Sequence, residues 1–222
     1  MSMYDPLFFD DLRQYRSVLR QRNAALKEQY YSLLPMYNQK LAESGLRIQT
    51  QREEMVKEFN LVFPDLYNII SQNSSNIHID YKPSWRNCET VDQIIEKLES
   101  HRESDIRMNT TISGIHRDKF IVYDDNIYFS ESGSTGQMRL ASLIFRIAQM
   151  HTYRKKTQKK PILLIDDVLL ELDIEKRGRF LKELNGYSQA FFTFLPKEQY
   201  FSDITPDDSL VYKIEDGRCD RI

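Results

Sequence analysis

Apolar side chains in the first part of the chain recur at helical spacing. Leu12, Tyr15, Leu19, Leu26, Tyr30 and Leu33 fall three, four or seven positions apart and predict a helix over residues 5–34, with Asp5 as its cap and Pro6 in its first turn. Pro35 is expected to interrupt it. A second helical stretch runs to about Phe59, and a shorter one follows Pro64 through Leu66, Ile69 and Ile70 until the turn formers of "SQNSSN" break the pattern. Ile77, Ile79 and Tyr81 then alternate with polar residues, the period-two mark of a half-buried strand. After "KPSWRNCET" a third helix carries Val91, Ile94, Ile95 and Leu98, and its second half is charged, "EKLESHRESDIR". Residues 1–109 therefore read as a helical, polar-faced arm with a short β segment near 77–81.

From Thr110 the texture turns β-rich. "TTISGIH" reads as a strand, and "KFIVYDDNIYF" as a hairpin turned at Asp125-Asn126. A helix follows in "GQMRLASLIFRIAQMHTYRKK", with Leu140, Leu143, Ile144 and Ile147 on one face. "PILLID" reads as a buried strand, "IEKRGRFLKEL" as a helix, "QAFFTF" as a strand, and "SLVYKIEDGRCDRI" as a closing hairpin turned at Asp216-Gly217. Strand, helix, strand with continuous aliphatic runs predicts a mostly parallel sheet with covered faces over residues 110–222, so the fold class is α/β with a helical arm.

Composition narrows the function classes. Lys plus Arg number 31 against 33 for Asp plus Glu, so a net charge near −2 exerts no global pull on nucleic acid or anionic membrane, and any such binding needs a local patch. No run approaches the roughly 18 apolar residues that a membrane span requires. The start "MSMYDPLFFD" lacks the basic and apolar regions of a signal peptide. A cytoplasmic chain is expected. Cys88 and Cys219 form no CxxC pair, and with four scattered histidines they give no metal-ligand spacing. Glycine is scarce, with seven in 222 residues where roughly 7% is usual, so the grouping of Gly114, Gly133 and Gly136 stands out.

The chemistry concentrates in two segments. "ILLIDD" places two adjacent carboxylates, Asp166 and Asp167, at a strand's carboxyl end, where open α/β sheets collect ligands. Adjacent acids repel unless a cation or proton lies between them. A Walker B arrangement does this: one Asp holds a Mg²⁺ bridging nucleotide phosphates, and the second orients or deprotonates the attacking water. The plainer alternative is a strand end whose acids cap the next helix. "SGSTGQMRL" sets glycines and serines before an amphipathic helix, so unpaired amides and the positive helix end point out of a flexible loop, as in a phosphate site. Its alternative is an ordinary cap by Ser134 or Thr135.

The order of Ser-x-Gly-Gln, amphipathic helix, aliphatic strand, Asp-Asp and "ELD" resembles the C-terminal half of an ABC-type ATPase head, and within that superfamily it resembles the RecF family. The resemblance spans nearly the whole chain and is densest over residues 105–175. It implies that Ser134, Gly136, Gln137 and Arg139 form the signature motif. Asp166 would be the metal ligand, Asp167 the catalytic member of the pair, and "LLELD" with Asp173 the D-loop facing a partner subunit. "SGIHRDKF" is similar to the family motif Gly-Pro-His-Arg-Asp-Asp, mapping onto Gly114, His116, Arg117 and Asp118. "DPLFFDDLRQYRSVLRQRNAALK" and "IDYKPS" resemble the family's helical arm. The resemblance implies an ATP- and Mg²⁺-dependent homodimer with slow hydrolysis, DNA binding at single-strand/double-strand junctions, and work with RecR, RecO and RecA in replication, repair and the SOS response.

Several positions depart from the family pattern. Ile115 replaces a proline, Lys119 replaces the motif's second acid, Met138 replaces a glutamine, and Thr193 is followed by Phe194 where threonines usually continue. No GxxxxGK[ST] occurs, so these residues lack the loop that cradles phosphates. The family carries that loop ahead of the arm, so the chain is expected to be a C-terminal fragment or truncated form that binds no ATP alone. His116, Arg117 and Asp118 are candidates for DNA or partner contact. Arg13, Arg16 and Arg20, at i, i+3 and i+7, either track a DNA backbone or form a solvated helix face. The basic loop "YRKKTQKK" carries the same two readings. Two other classes remain: a stand-alone interaction module without catalysis, and a metal-dependent phosphoesterase using Asp166 and Asp167 without a P-loop.

Overall fold

The computed structural model describes residues 5–166, 172–194 and 209–221. The chain packs as two compact units, one of Met1–Asp65 with Ser75–Ser132 and one of Leu66–Ser74 with Gly133–Ile222. Residues 110–132, which the sequence pattern groups with the later part, pack with the first unit because their strands pair with the one at 77–82.

In the first unit, α1 (Pro6–Lys27) starts where Asp5 accepts the Phe8 N–H at 3.2 Å, with Pro6 in the first turn. It ends at Lys27 instead of Leu34. Gln29 adopts φ 64°, and the Tyr30 N–H returns to the Ala25 carbonyl at 2.9 Å, a Schellman closure made without glycine. Pro35 then begins α2 (Leu34–Asn60) and does not interrupt the first helix, since a proline in the first turn forfeits no internal hydrogen bond. Gly45 lies mid-α2 because a Cβ there would come within 2.3 Å of the Trp85 ring.

α3 (Phe63–Ser71), whose residues from Leu66 onward belong to the second unit, comes next, then β1 (Ile77–Lys82) with Ile77, Ile79 and Tyr81 buried in alternation. β1 pairs antiparallel with β2 (Lys119–Asp124), and β2 turns at Asp125 (φ 54°) into β3 (Ile127–Tyr128), the expected hairpin. Thr90 and Gln93 close a capping box on α4 (Val91–Ser100); α5 (Arg102–Met108) follows and ends at the left-handed Asn109. "TTISGIH" is not a strand. The amides of Thr111, Ile112 and Gly114 are bonded by the side chains of Asn23, Asp105 and Ser84 at 2.9, 2.9 and 3.0 Å, so they need no neighbouring strand, and Ile115–Arg117 makes a 3₁₀ turn.

The unit's core joins Phe8, Tyr15 and Val18 of α1 to Leu41 and Ile48 of α2, with Trp85, Ile94, Leu98 and Ile115. Beside it sits a wholly buried charge. Arg22 donates to Asn38 Oδ1 at 2.8 Å, and to Asp105 Oδ2 and Thr111 Oγ1 at 2.7 Å each, with Arg22 and Asp105 side chains 1% and 0% exposed.

In the second unit, α6 (Phe129–Ser132) of the first gives way to α7 (Thr135–Thr157), whose Leu140, Ile144 and Ile147 are buried as their spacing predicts. β4 (Ile162–Asp166) runs parallel to β5 (Gln189–Thr193), with α8 (Ile174–Glu183) between them in sequence. One face is not covered among the described residues: Ile162, Leu164 and Phe191 are 61, 78 and 51% exposed. β6 (Tyr212–Glu215) and β7 (Arg218–Arg221) form the hairpin at Asp216-Gly217, both with positive φ.

Replacing Arg22 by Ala leaves the Asp105 carboxylate buried without its cation. Urea unfolding followed by circular dichroism is expected to show a loss of about 3–5 kcal/mol, with part of the loss recovered in Arg22→Ala/Asp105→Ala.

Candidate nucleotide-facing and nucleic-acid-facing sites

Ser134 stands at the N-cap of α7. Its Oγ accepts from the Gln137 N–H at 3.2 Å, and Gln137 Oε1 accepts from the Ser134 N–H at 2.7 Å, closing a capping box. The box leaves the amides of Thr135 and Gly136 without acceptors inside the helix, exposed at its positive end. A Cβ on Gly136 would meet nothing closer than Ser134 Oγ at 4.0 Å. Capping therefore accounts for Ser134 and Gln137 but not for Gly136; open space above free amides suits the close approach of an anion. Arg139 is exposed further along the same helix.

Asp166 ends β4 and is exposed. The parallel register sets it beside Thr193, whose hydroxyl donates to Asp166 Oδ1 at 2.5 Å. Asp167, Val168 and residues 169–171 of the "LLELD" segment lie outside the described residues. Asp173 caps α8, accepting the Lys176 N–H at 2.8 Å and pairing with Lys176 Nζ at 2.6 Å. The hydrogen bond from Lys176 holds this carboxyl below its ordinary range. Among the described residues no cluster of three or more His, Cys, Asp or Glu is placed to hold a metal ion. A single exposed carboxylate such as Asp166 nevertheless fits Mg²⁺, which is commonly held by one or two carboxylates together with substrate phosphates and waters.

The "HRD" motif turns its bonding groups mostly inward. His116 keeps part of its surface exposed, yet both ring nitrogens are engaged. The Tyr15 hydroxyl bonds His116 Nδ1 at 2.9 Å, and His116 Nε2 lies 3.0 Å from the Thr111 carbonyl. A carbonyl only accepts, so Nε2 carries the proton and Nδ1 accepts from Tyr15. Desolvation lowers the His116 pKa and raises that of Tyr15. Asp118, its side chain 1% exposed, accepts from Arg52 Nη1 at 2.6 Å, from the Ser84 N–H at 2.8 Å and from the Tyr81 hydroxyl. Burial, then the bond to Asp118, raises the Tyr81 pKa. These two residues brace the fold, and only Arg117 of the three points its charge into an exposed position.

On α1, Arg13, Arg16 and Arg20 are exposed and line a shallow depression with Gln14 and Ser17. Arg13 lies 3.9 Å from Asp10 and 5.8 Å from the Phe9 ring centroid. Sequence reading passed over Arg22, Asp105, Arg52 and Tyr81 as functional supports. One signal was present: Arg22 falls on the apolar stripe of α1, seven residues after Tyr15 and four before Leu26.

No family model matches the chain. The DNA replication and repair protein RecF of Treponema pallidum is 37% identical over 219 residues, which cover 99% of this chain and 61% of that protein. RecF of Leptospira interrogans is 31% identical over 226 residues, covering 100% and 61%. The solved structure of the recombination mediator protein RecF-ATP in the RecFOR pathway superimposes with a TM-score of 0.81 at 27% identity, over 100% of this chain and 60% of that one. The RecF-ATPrS structure gives 0.83 at 28% identity over the same shares. The chain spans about three fifths of the length of these relatives.

With the signature-like helix start, the strand ending in Asp166 and the helical arm, this likeness defines the C-terminal half of an ABC-type ATPase head joined to an arm. Over its whole length the chain is similar to part of a RecF chain. No helix among the described residues is long and apolar enough to cross a membrane.

Since desolvation favours the neutral form of His116, its protonation favours the unfolded chain. Its contribution is complete above the unfolded histidine value, near 6.5, and declines as pH falls below it toward the lower folded value. Urea midpoints measured between pH 7.5 and 5 should therefore drop, and His116→Gln should flatten that slope.

Proposed function

We propose that the chain carries the magnesium-binding and trans-acting side of a shared ATP site in a RecF-type recombination mediator. The observation carrying this reading is the bare apolar face of the β4–β5 pair, which leads from Ile162, Leu164 and Phe191 to Asp166 and Thr193. Parallel strands are covered on both faces in α/β proteins, so this face calls for further polypeptide. A P-loop half, from the part of the relatives' length not spanned here, meets that need and brings the phosphate cradle.

Within the completed head, Asp166 holds a Mg²⁺ that offsets phosphate charge. Asp167 orients the attacking water. Ser134, Gly136 and Gln137 present the α7 amides to the γ-phosphate bound by a second subunit, Arg139 adds positive charge beside them, and Asp173 faces the subunit boundary. ATP thereby stabilises the closed homodimer by mass action, and slow hydrolysis resets it. Arg13, Arg16, Arg20 and Arg117 supply exposed charge for DNA phosphates, with His116 and Asp118 as the supports of Arg117. The biological output is assembly at single-strand gaps and junctions with RecR and RecO for RecA loading, in replication, repair and the SOS response. Support comes from relatives named as DNA replication and repair proteins and from RecF structures bound to ATP.

Titration calorimetry of the 222-residue chain with Mg-ATP should show no saturable binding below millimolar. A separately produced P-loop half should restore binding. Ser134→Arg should then abolish ATP-driven dimerisation in sedimentation while leaving nucleotide binding intact. Tight binding by the chain alone, or dimerisation surviving Ser134→Arg, overturns the reading; failure of the half to complement it favours a stand-alone module.

A further inference from the structure

Helix α8 carries two arginines that bond main-chain carbonyls outside the helix. Arg179 Nε donates to the Ile70 carbonyl of α3 at 2.8 Å, and Arg177 Nη2 donates to the Leu172 carbonyl at 3.1 Å. All four residues lie in the second unit. Arg177 and Leu172 are each 5% exposed, and Phe180, three residues after Arg177, is 2% exposed. The inner face of α8 therefore combines a guanidinium with an aromatic ring.

A methionine or leucine would fill the space beneath α8 without taking a cation out of water, so filling space does not account for Arg177. Its bond does what an apolar side chain does not. It pins the carbonyl of the residue just before the helix cap, while the Arg177 amide makes the first helical bond, to the Asp173 carbonyl at 2.9 Å. One residue thus holds two successive carbonyls, and the peptide plane between Leu172 and Asp173 is fixed from the inside. Asp173 is extended, at φ −61° and ψ 161°, and its side chain remains 54% exposed although it caps the helix and pairs with Lys176. A cap alone starts a helix but leaves the preceding peptide free to turn; the buried guanidinium removes that freedom.

We propose that Arg177 is a positioning residue for Asp173: it sets the angle at which the chain enters α8, so that the Asp173 carboxylate is held outward, toward a partner subunit. The partner-facing role of Asp173 rests on the reading under Proposed function. The clamp of Arg177 on Leu172 does not.

The two parts are tested separately. Hydrogen exchange by NMR on the 222-residue chain reads the clamp at the amides of positions 176 and 177, each relative to the rest of α8. Arg177→Met is expected to speed exchange at both roughly tenfold, and Arg177→Lys, which keeps a cation and a donor, should recover most of the protection. Phe180→Leu, which loses core packing on the same helix, should lower the urea midpoint without this local change. With a separately produced P-loop half and Mg-ATP, Arg177→Met should weaken dimerisation in sedimentation roughly tenfold and leave nucleotide affinity at the parent value. Asp173→Asn keeps a competent cap and loses the charge; in that background Arg177→Met should weaken dimerisation little further, because the two act as one unit. The proposal is overturned if Arg177→Met leaves the two amides as protected as in the parent, if Phe180→Leu weakens dimerisation as much, or if the effects of Arg177→Met and Asp173→Asn simply add. A parent chain that does not dimerise with the P-loop half sinks the ATP reading instead, and the exchange measurement then decides the clamp by itself.

Discussion

The first unit is organised around the burial of one guanidinium. Removing Arg22 and Asp105 from water costs several kcal/mol per ion, and the fold tolerates this only because the charges meet each other and further partners besides. Asn38 of α2 and Thr111 complete the arginine's bonds, while the second Asp105 oxygen holds the Ile112 amide. Each bond ties a different stretch of chain to α1, so the helix pair, α5 and the 110–112 segment share one permitted arrangement. Apolar packing alone would allow small slides of one helix on another. A buried ion pair does not, because a shift of an ångström leaves a charge unsatisfied.

That constraint also fixes the next stretch of chain. Thr111, held by Arg22 and by Asn23, presents its carbonyl to His116, and the Tyr15 hydroxyl closes on the other ring nitrogen. Gly114 adopts φ 141° between them, with no room for a Cβ, which would fall 2.3 Å from the Tyr15 oxygen. Asp118 then gathers Arg52, Tyr81 and the Ser84 amide just before β2 begins. The segment that most resembles a family polar motif thus works largely as a brace. It sets the start of β2, and with it the register that opposes Lys119 to Lys82 and Tyr123 to His78.

The second unit obeys a different logic. Its helix start and strand end carry unsatisfied chemistry: amides at Thr135 and Gly136, and an exposed carboxylate at Asp166 with Thr193 bonded to it. Beside Asp166 lies apolar strand surface of the kind a complete α/β layer buries. On the proposed reading, a site divided in this way would make nucleotide binding and association one event, since the phosphate cradle and the groups that close over it would come from different polypeptides. The functional proposal rests on that division of labour.

Much of this was legible in the residue pattern. Alternation at Ile77, Ile79 and Tyr81, the helical stripe of α7, the turns at Asp125 and Asp216, and the Ser134-to-Gln137 box all depend on local periodicity and short-range hydrogen bonding, which a sequence displays directly. The helix end at Gln29, the role of Pro35 and the non-strand at 110–116 were not legible, because each depends on partners distant in sequence or on a backbone choice with no glycine to announce it. The candidate site divides the same way. Adjacent acids and a glycine-bearing helix start are what the phosphate-site proposal draws on, whereas the inward bonding of His116 and Asp118 was settled by Tyr15, Arg52 and Tyr81, residues 37 to 101 positions away. Local elements belong to the sequence because their forces act within a few residues. Which polar groups are buried, and which face outward to a ligand, belongs to the tertiary structure, because the cost of an unpaired buried charge is set only when distant segments meet.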